Sequence, residues 1–324
     1  MNTKYPQYLG YYKTIPEVRA VVDAKSNWTT GKGFIADEPT TMILDAIVGF
    51  GKDTFTTILE NMVRTYQIGG DSYAEIIRDE EGNLLNLKIL DPNSIRHVVG
   101  PQGVIIRFEQ VSKMSGKKVV KFEPKDIFYL ARNRVADEIH GNSLTEALEW
   151  IILAKNEAMA DYKIVMHRFV KPRWIFHLDT DDPTKIAGFK TKMDKANDDT
   201  ENLYVPKGVV EPELVAVAPN STLNPITWIE MLDNKFYEAA NCPKIVVGGI
   251  GGITDAATKI AYLAFEQNIR AEQLMVEEQV LLQLNKVIEL PFPASLENGM
   301  LSNNGRDVQT GAAQPNETTA GEGA

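Results

Sequence analysis

The chain has 324 residues and a formal net charge of −10, with 44% hydrophobic and 24% charged residues. That composition can bury a sizeable core in water, and the length allows two domains or one elaborate one. The acidic balance argues against gripping nucleic acid over the whole surface, though not against letting nucleic acid pass.

A lone cysteine, Cys242, excludes an internal disulfide and any cysteine zinc site, and points to a reducing compartment. No apolar run reaches the roughly 18 residues of a membrane span. The Met-Asn-Thr-Lys start does not read as a signal peptide.

Taken in order, residues 1–40 place Tyr11, Trp28 and Phe34 among turn residues, with one helix opening at Pro16. TGKGFIAD follows as a short strand or loop. Helices are expected from Pro39 to about Phe50 and from Asp53 to about Gly69. In the latter, Phe55, Ile58, Leu59, Met62, Val63 and Tyr66 share one face.

The pattern then changes to period two. Segments beginning at Ser72, Leu84, Ile95, Val104 and Val119 read as strands of one antiparallel meander, separated by turn residues. Ile127 and Tyr129 mark another short strand. Helices first and strands second indicate an α+β body.

Ser143 followed by Glu146 is a capping box. The helix behind it repeats apolar residues at Leu144, Leu148, Ile151, Ala158, Tyr162, Val165 and Phe169, interrupted by Lys155. It runs for about 26 residues, or about 39 Å. Such a helix needs neighbours along its whole length.

Lys171-Pro172 stops it. A β-α-β-β insert follows: WIFHLD, a helix opening at Pro183, ENLYVPKG and PELVAVAP. A shorter helix from Pro225 to Asn241 leads to the glycine-rich CPKIVVGGIGGITD. A long stretch free of Gly and Pro then runs to Pro291. The polar remainder to Ala324 is expected to be disordered.

Candidate chemistry is thin. Gly248, Gly249, Gly251 and Gly252 before a helix could cradle a phosphate, since helix N-termini attract anions. No Lys-Ser/Thr follows and the spacing is not G-x-G-x-x-G, so a mobile loop is the preferred reading. His97, His140, His167 and His177 show no metal-ligand spacing. Cys242 reads as a small buried residue at a helix end. Lys185, Lys190, Lys192, Lys195 and Lys207 make the insert locally basic, as a solvated helix face or as a phosphate-facing rim. No catalytic set, metal site or cofactor site is expected.

The order of GDSYAEIIRDEEGNLLNLKILDPNSIRHVV, FEPKDIFYLA and HGNSLTEALEWIILA resembles the portal proteins of tailed double-stranded DNA viruses. The positions that carry the likeness are Gly70, Tyr73, Glu75, Ile76, Leu90 and Pro92, then Asp126, Ile127 and Leu130, then Gly141, Ser143 and Leu144. The later EAANCPKIVVGG looks like a further family segment, matching at Pro243 and Gly248 but departing at Cys242 and Lys244.

The resemblance implies a ring, usually of twelve subunits, at one capsid vertex of the virion, assembled in the host cytoplasm. Residues 1–142 and 255–293 would form the wing. Residues 143–171 and 224–241 would form the stem, packed through Leu148, Ile151, Ala158, Tyr162 and Val165. The insert 172–223 would be the clip, presenting Trp174 and the five lysines to the terminase and later to a head-tail connector. Residues 242–254 would carry the tunnel loop, with Gly248, Gly249, Ile250, Gly251, Gly252, Ile253 and Thr254 facing double-stranded DNA and Lys259 nearby. The major capsid protein and a scaffold would be further partners, with no membrane and no enzymatic activity. Because the chain ends in a polar tail (residues 294–324), a full helical crown is not expected. Two other classes stay open: a nucleotide-binding enzyme using residues 248–252, and a non-viral oligomeric scaffold.

Overall fold

The structure, a computed structural model, describes residues 2–111, 119–170, 173–178, 180–199, 210–215, 225–248 and 255–293. The chain divides into two compact units, residues 1–150 with 235–324, and residues 151–234.

In the larger unit, proline sits in the first turn of each of the first three helices: α1 (Tyr5–Thr14), α2 (Pro16–Thr30) and α3 (Glu38–Asp45). Its missing amide is one the helix start leaves unbonded anyway. α1 replaces the turns expected around Tyr11. Its buried face rests on Tyr5 and Tyr8 alone, too sparse a pattern to read from sequence. α3 ends at Asp45, short of the expected Phe50, and Gly49 and Gly51 beyond it take positive φ, which keeps that stretch from continuing as helix. α4 (Phe55–Gly69) is capped by Thr54, which exchanges bonds with Thr57, and its expected apolar stripe is wholly buried.

The strands do not form one meander. β1 (Asp71–Arg78) pairs antiparallel with β2 (Leu84–Leu90) on one edge and with β6 (Ile127–Ala131) on the other. A second sheet joins β3 (Ile95–Val99), β4 (Ile105–Gln110) and β5 (Val120–Phe122). A 3-10 turn at Pro92–Ser94 lies between β2 and β3, at the break between the sheets. Period-two alternation is the same in either arrangement, so it could not reveal this split.

β1 is buried on both faces at its start. Ala74 and Ile76 join the main core with α4, β2, β6 and α8 (Asp255–Leu284). Tyr73, on the opposite face, joins Leu90, Ile95, Phe108, Phe122 and Ile127 beneath the second sheet.

α8 ends where Asn285 takes φ 54°, well before the expected Pro291. The chain beyond it is extended. Glu289 and Ile35 exchange two backbone hydrogen bonds of 2.8 Å, and Phe292 packs on Trp28.

α5 (Leu144–Val170) starts in the larger unit and ends in the smaller. The smaller unit also holds β7 (Arg173–Leu178) and β8 (Val210–Val215), an antiparallel pair, with α6 (Pro183–Asp199) between them in sequence. Phe189 of α6 meets Phe176 of β7. The strand expected in ENLYVPKG lies outside the described residues, and β8 starts two residues before the expected Pro212. α7 (Pro225–Ala239) follows, and Lys155 of α5 pairs with its Asp233 at 2.9 Å.

At the start of β1 two glycine backbones touch. A Cβ on Gly70 (φ 87°) would collide with the Gly141 carbonyl, and one on Gly141 would collide with the Gly70 carbonyl. Gly70→Ala should therefore lose at least about 3 kcal/mol, from strain and collision together. Gly82→Ala, at the same φ but in open space, should lose only about 1 kcal/mol. Urea unfolding of both variants checks this; equal losses would show that the close approach is unimportant.

Candidate functional site

Asp71, the first residue of β1, has a fully buried side chain that gathers three partners. Its Oδ1 accepts from the Gly141 amide at 2.8 Å and lies 2.8 Å from the Tyr129 hydroxyl. Its Oδ2 accepts from His140 Nδ1 at 2.6 Å. Tyr129 Oη is also 2.7 Å from Ile139 O, so its single proton is shared between two acceptors.

These bonds pin residues 139–141, the approach to α5. Further ties hold the same segment: Arg132 N to Gly70 O, Asn142 N to Arg132 O, and Ser143 Oγ to Ile68 O. Ser143 also caps α5, accepting from Glu146 N at 3.3 Å. The other half of the expected capping box is altered, because the Glu146 carboxylate pairs with Lys4 of the N-terminal segment at 2.6 Å.

Around Asp71 the aromatic rings stack. Tyr73 lies over Tyr129 at 5.1 Å, and His97 over His140 at 4.5 Å. Tyr73 Oη meets His97 Nε2 at 2.8 Å, leaving His97 Nδ1 buried without a partner among the described residues. Burial, reinforced by the neighbouring His140, pushes His97 down to about 4. Burial first, then the Asp71 charge, raises the Tyr129 hydroxyl well above its ordinary range. The histidine pair is hidden in residue order, since His97 lies on β3 and His140 in the segment before α5, and only tertiary packing stacks them.

His140, 40% exposed, lines an open cleft of about 440 Å³ with Asn2, Lys4, Tyr8 and Glu138. No group of His, Cys, Asp and Glu among the described residues converges as a metal-ligand set. The arrangement positions backbone; it holds no nucleophile beside a free base.

A second polar cluster lies in the core between helices. Lys25 of α2 and Arg132 after β6 approach Glu272 of α8 at 3.8 and 3.7 Å. Gln67 and Tyr66 of α4 bond its other oxygen. Burial lowers the Lys25 pKa, against the attraction of Glu272.

The residues singled out from sequence are spread along the chain. Leu148 and Ile151 are buried on α5, while Ala158, Tyr162 and Val165 are half-buried. Lys185, Lys190, Lys192 and Lys195 are exposed on α6. Gly248 closes a 3-10 turn in left-handed conformation, and Lys259 is exposed in the first part of α8. Gly249, Ile250, Gly251, Gly252, Ile253, Thr254, Lys207 and the side chain of Trp174 lie outside the described residues. Cys242 is buried just after α7, as expected, and burial pushes its thiol up to about 11.

No family model and no curated protein matches the chain. Solved structures do. A chain of the neck of an empty gene transfer agent particle, computed with C6 symmetry, matches at TM-score 0.73 and 16% identity, over 97% of this chain and 92% of that one. A chain of the neck of a native particle, computed with C12 symmetry, matches at TM-score 0.68 and 16% identity, over 94% and 89%. An HK97-family phage portal protein from Corynebacterium diphtheriae matches at TM-score 0.55 and 14% identity, over 88% and 95%. The mixed α+β fold of this chain is thus the fold of phage portal and particle-neck proteins.

Because the folded state holds His97 neutral down to about 4, against an ordinary 6.5, it binds that proton less readily than the unfolded chain. The stabilisation is complete above pH 6.5 and is lost as pH falls toward 4, amounting to about 3 kcal/mol at most. Replacing the hydrogen-bonded pair together (Tyr73→Phe with His97→Phe) should flatten stability between pH 6.5 and 4. Denaturant melts of both proteins across that range test this; parallel pH profiles would refute it.

Proposed function

We propose that this chain is a portal protein, assembling as a ring at one capsid vertex and forming the channel for viral DNA during packaging and ejection. The observation that carries this reading is the match of nearly the whole chain to the fold of an HK97-family portal protein and of particle-neck chains, one of them in a particle computed with C12 symmetry. The motif order in the sequence, read without those structures, points the same way.

The physical state of α5 supports an oligomer. Its first turns are buried through Leu144, Leu148, Ile151 and Ile152. Trp150, 64% exposed, and Ile164, 52% exposed, stand out from the helix with Leu153, Met159 and Met166. Apolar side chains exposed along so long a helix mark an interaction surface more readily than scattered ones would. Lateral neighbours in a ring would cover them, each copy meeting the next through the same pair of faces.

In this reading residues 1–142 with 255–293 form the wing, and 143–171 with 224–241 the stem. Residues 172–223 form the clip, whose exposed α6 lysines suit an acidic or phosphate-rich partner in the terminase or head-tail connector. The glycine stretch 248–254 forms the loop nearest the DNA. An acidic chain suits a channel, because every phosphate gripped by a cation adds salt-dependent affinity that would slow sliding. The protein has no catalytic role of its own; the motor is its partner.

Negative-stain microscopy of the purified protein should show rings with a central hole, and light scattering a matching mass. A stable monomer at micromolar concentration across salt conditions would exclude the reading. Within a ring, Trp150→Glu with Ile164→Glu should lower the assembled fraction while leaving the far-ultraviolet circular dichroism unchanged. Replacing Gly249 and Gly251 with Val should preserve assembly and reduce the DNA retained per particle. Normal DNA content in such particles would remove the loop from the channel assignment without touching the ring.

A further inference from the structure

The Lys25, Arg132 and Glu272 cluster is short of negative charge. The Lys25 side chain is 2% exposed and that of Arg132 14%, yet the two share one oxygen of a single carboxylate. At 3.8 and 3.7 Å these contacts are ion pairs without hydrogen bonds. The other oxygen is taken by Gln67 and Tyr66. Arg132 Nε is buried with no hydrogen-bond partner among the described residues.

A cleft of about 250 Å³ opens beside these cations, bordered by Lys25, Arg132 and Glu272 together with Asn133, Asn241 and Asn268. Ala239, the last residue of α7, and Ala240 just after it also border it. Their carbonyl ends carry partial negative charge, which offsets only part of the excess. Cys242 nearby stays a neutral thiol, because burial pushes it up to about 11. Two buried cations facing one carboxylate, with donors left over, are strongly unfavourable unless another anion joins them.

We propose that this cleft seats a small oxyanion, a carboxylate or a phosphate-sized group, against Arg132 and Lys25. The planar guanidinium offers paired donors to two oxygens, and the lysine supplies the second charge. The anion is either free in solution or the acidic side chain of a second copy of this chain. The cluster's own geometry carries this inference, which does not depend on the portal reading.

Inorganic phosphate, titrated into the intact chain at ionic strength held constant with chloride, should raise the melting temperature saturably. Arg132→Gln should weaken that response at least about tenfold, the worth of a charge-assisted hydrogen bond. If a second copy supplies the oxyanion, phosphate should compete with assembly, and Arg132→Gln should lower the oligomeric mass seen by light scattering. The absence of both a saturable phosphate response and an Arg132-dependent oligomer overturns the proposal. If Arg132→Gln fails to fold, Asn268→Asp decides. A carboxylate four residues before Glu272 destabilises an ordinary helix face. Here it should fill the seat, raise the melting temperature and abolish the phosphate response; a lower melting temperature with the response intact would overturn the proposal.

Discussion

One buried carboxylate ties the start of the central strand to the start of the longest helix of the first half of the chain. Asp71 takes bonds from a backbone amide, an imidazole and a nearby phenol, all at 2.6–2.8 Å. A carboxylate in an apolar setting is very costly unless its lone pairs are filled, so the three donors have little freedom to leave. Two of the donors belong to His140 and Gly141, just before α5 begins. The start of α5 is therefore tied to the start of β1 by hydrogen bonding, with Gly70 and Gly141 allowing the two backbones to touch there.

The same economy appears in the helical layer. α2 buries Lys25, Ser26, Thr29 and Thr30 on its core face. The three hydroxyls are satisfied within the helix, each bonding the carbonyl four residues back. Gln273 of α8 reaches Thr29 O at 3.0 Å. α2 and α8 thus meet through directional bonds as well as apolar contact, which fixes their axial register more sharply than a greasy face would. Apolar packing supplies most of the stabilisation in this unit, and the polar groups restrict how the helices can slide.

Much of this was legible from residue order. α2, α4 and α5 follow from proline or a cap at the start and apolar residues at helical spacing. β1 and β2 follow from alternation broken by Asp79 to Asn83. Other features were hidden for physical reasons. α1 buries only two tyrosines, so its period is faint. The division into two sheets leaves alternation unchanged. α8 ends at a left-handed Asn285 in a run without Gly or Pro, a stop signal weaker than either residue. The site's key contacts escaped entirely, since Asp71 of β1, His97 of β3 and His140 before α5 lie far apart in the chain and meet only where the second sheet packs on the first. Lys25 sits in an apolar stripe where sequence alone would turn it to solvent. The order of the portal-like motifs was readable because it depends on spacing along the chain, which the fold preserves.

The closing bond pair between Ile35 and Glu289 has a mechanical side. Beyond α8 the chain is held by those two hydrogen bonds and by Phe292 against Trp28, with Pro291 and Pro293 lying against Gly31. Leu290 N also donates to Glu277 of α8 at 2.6 Å and Arg270 of α8 lies over the Phe292 ring, so tension applied beyond Pro293 is divided among the segment around Ile35, the end of α2 and α8 itself. Because Ile288 and Leu290 are buried in the main core, the clasp yields only together with that packing, and its strength exceeds that of its net hydrogen bonds, about 1 kcal/mol each.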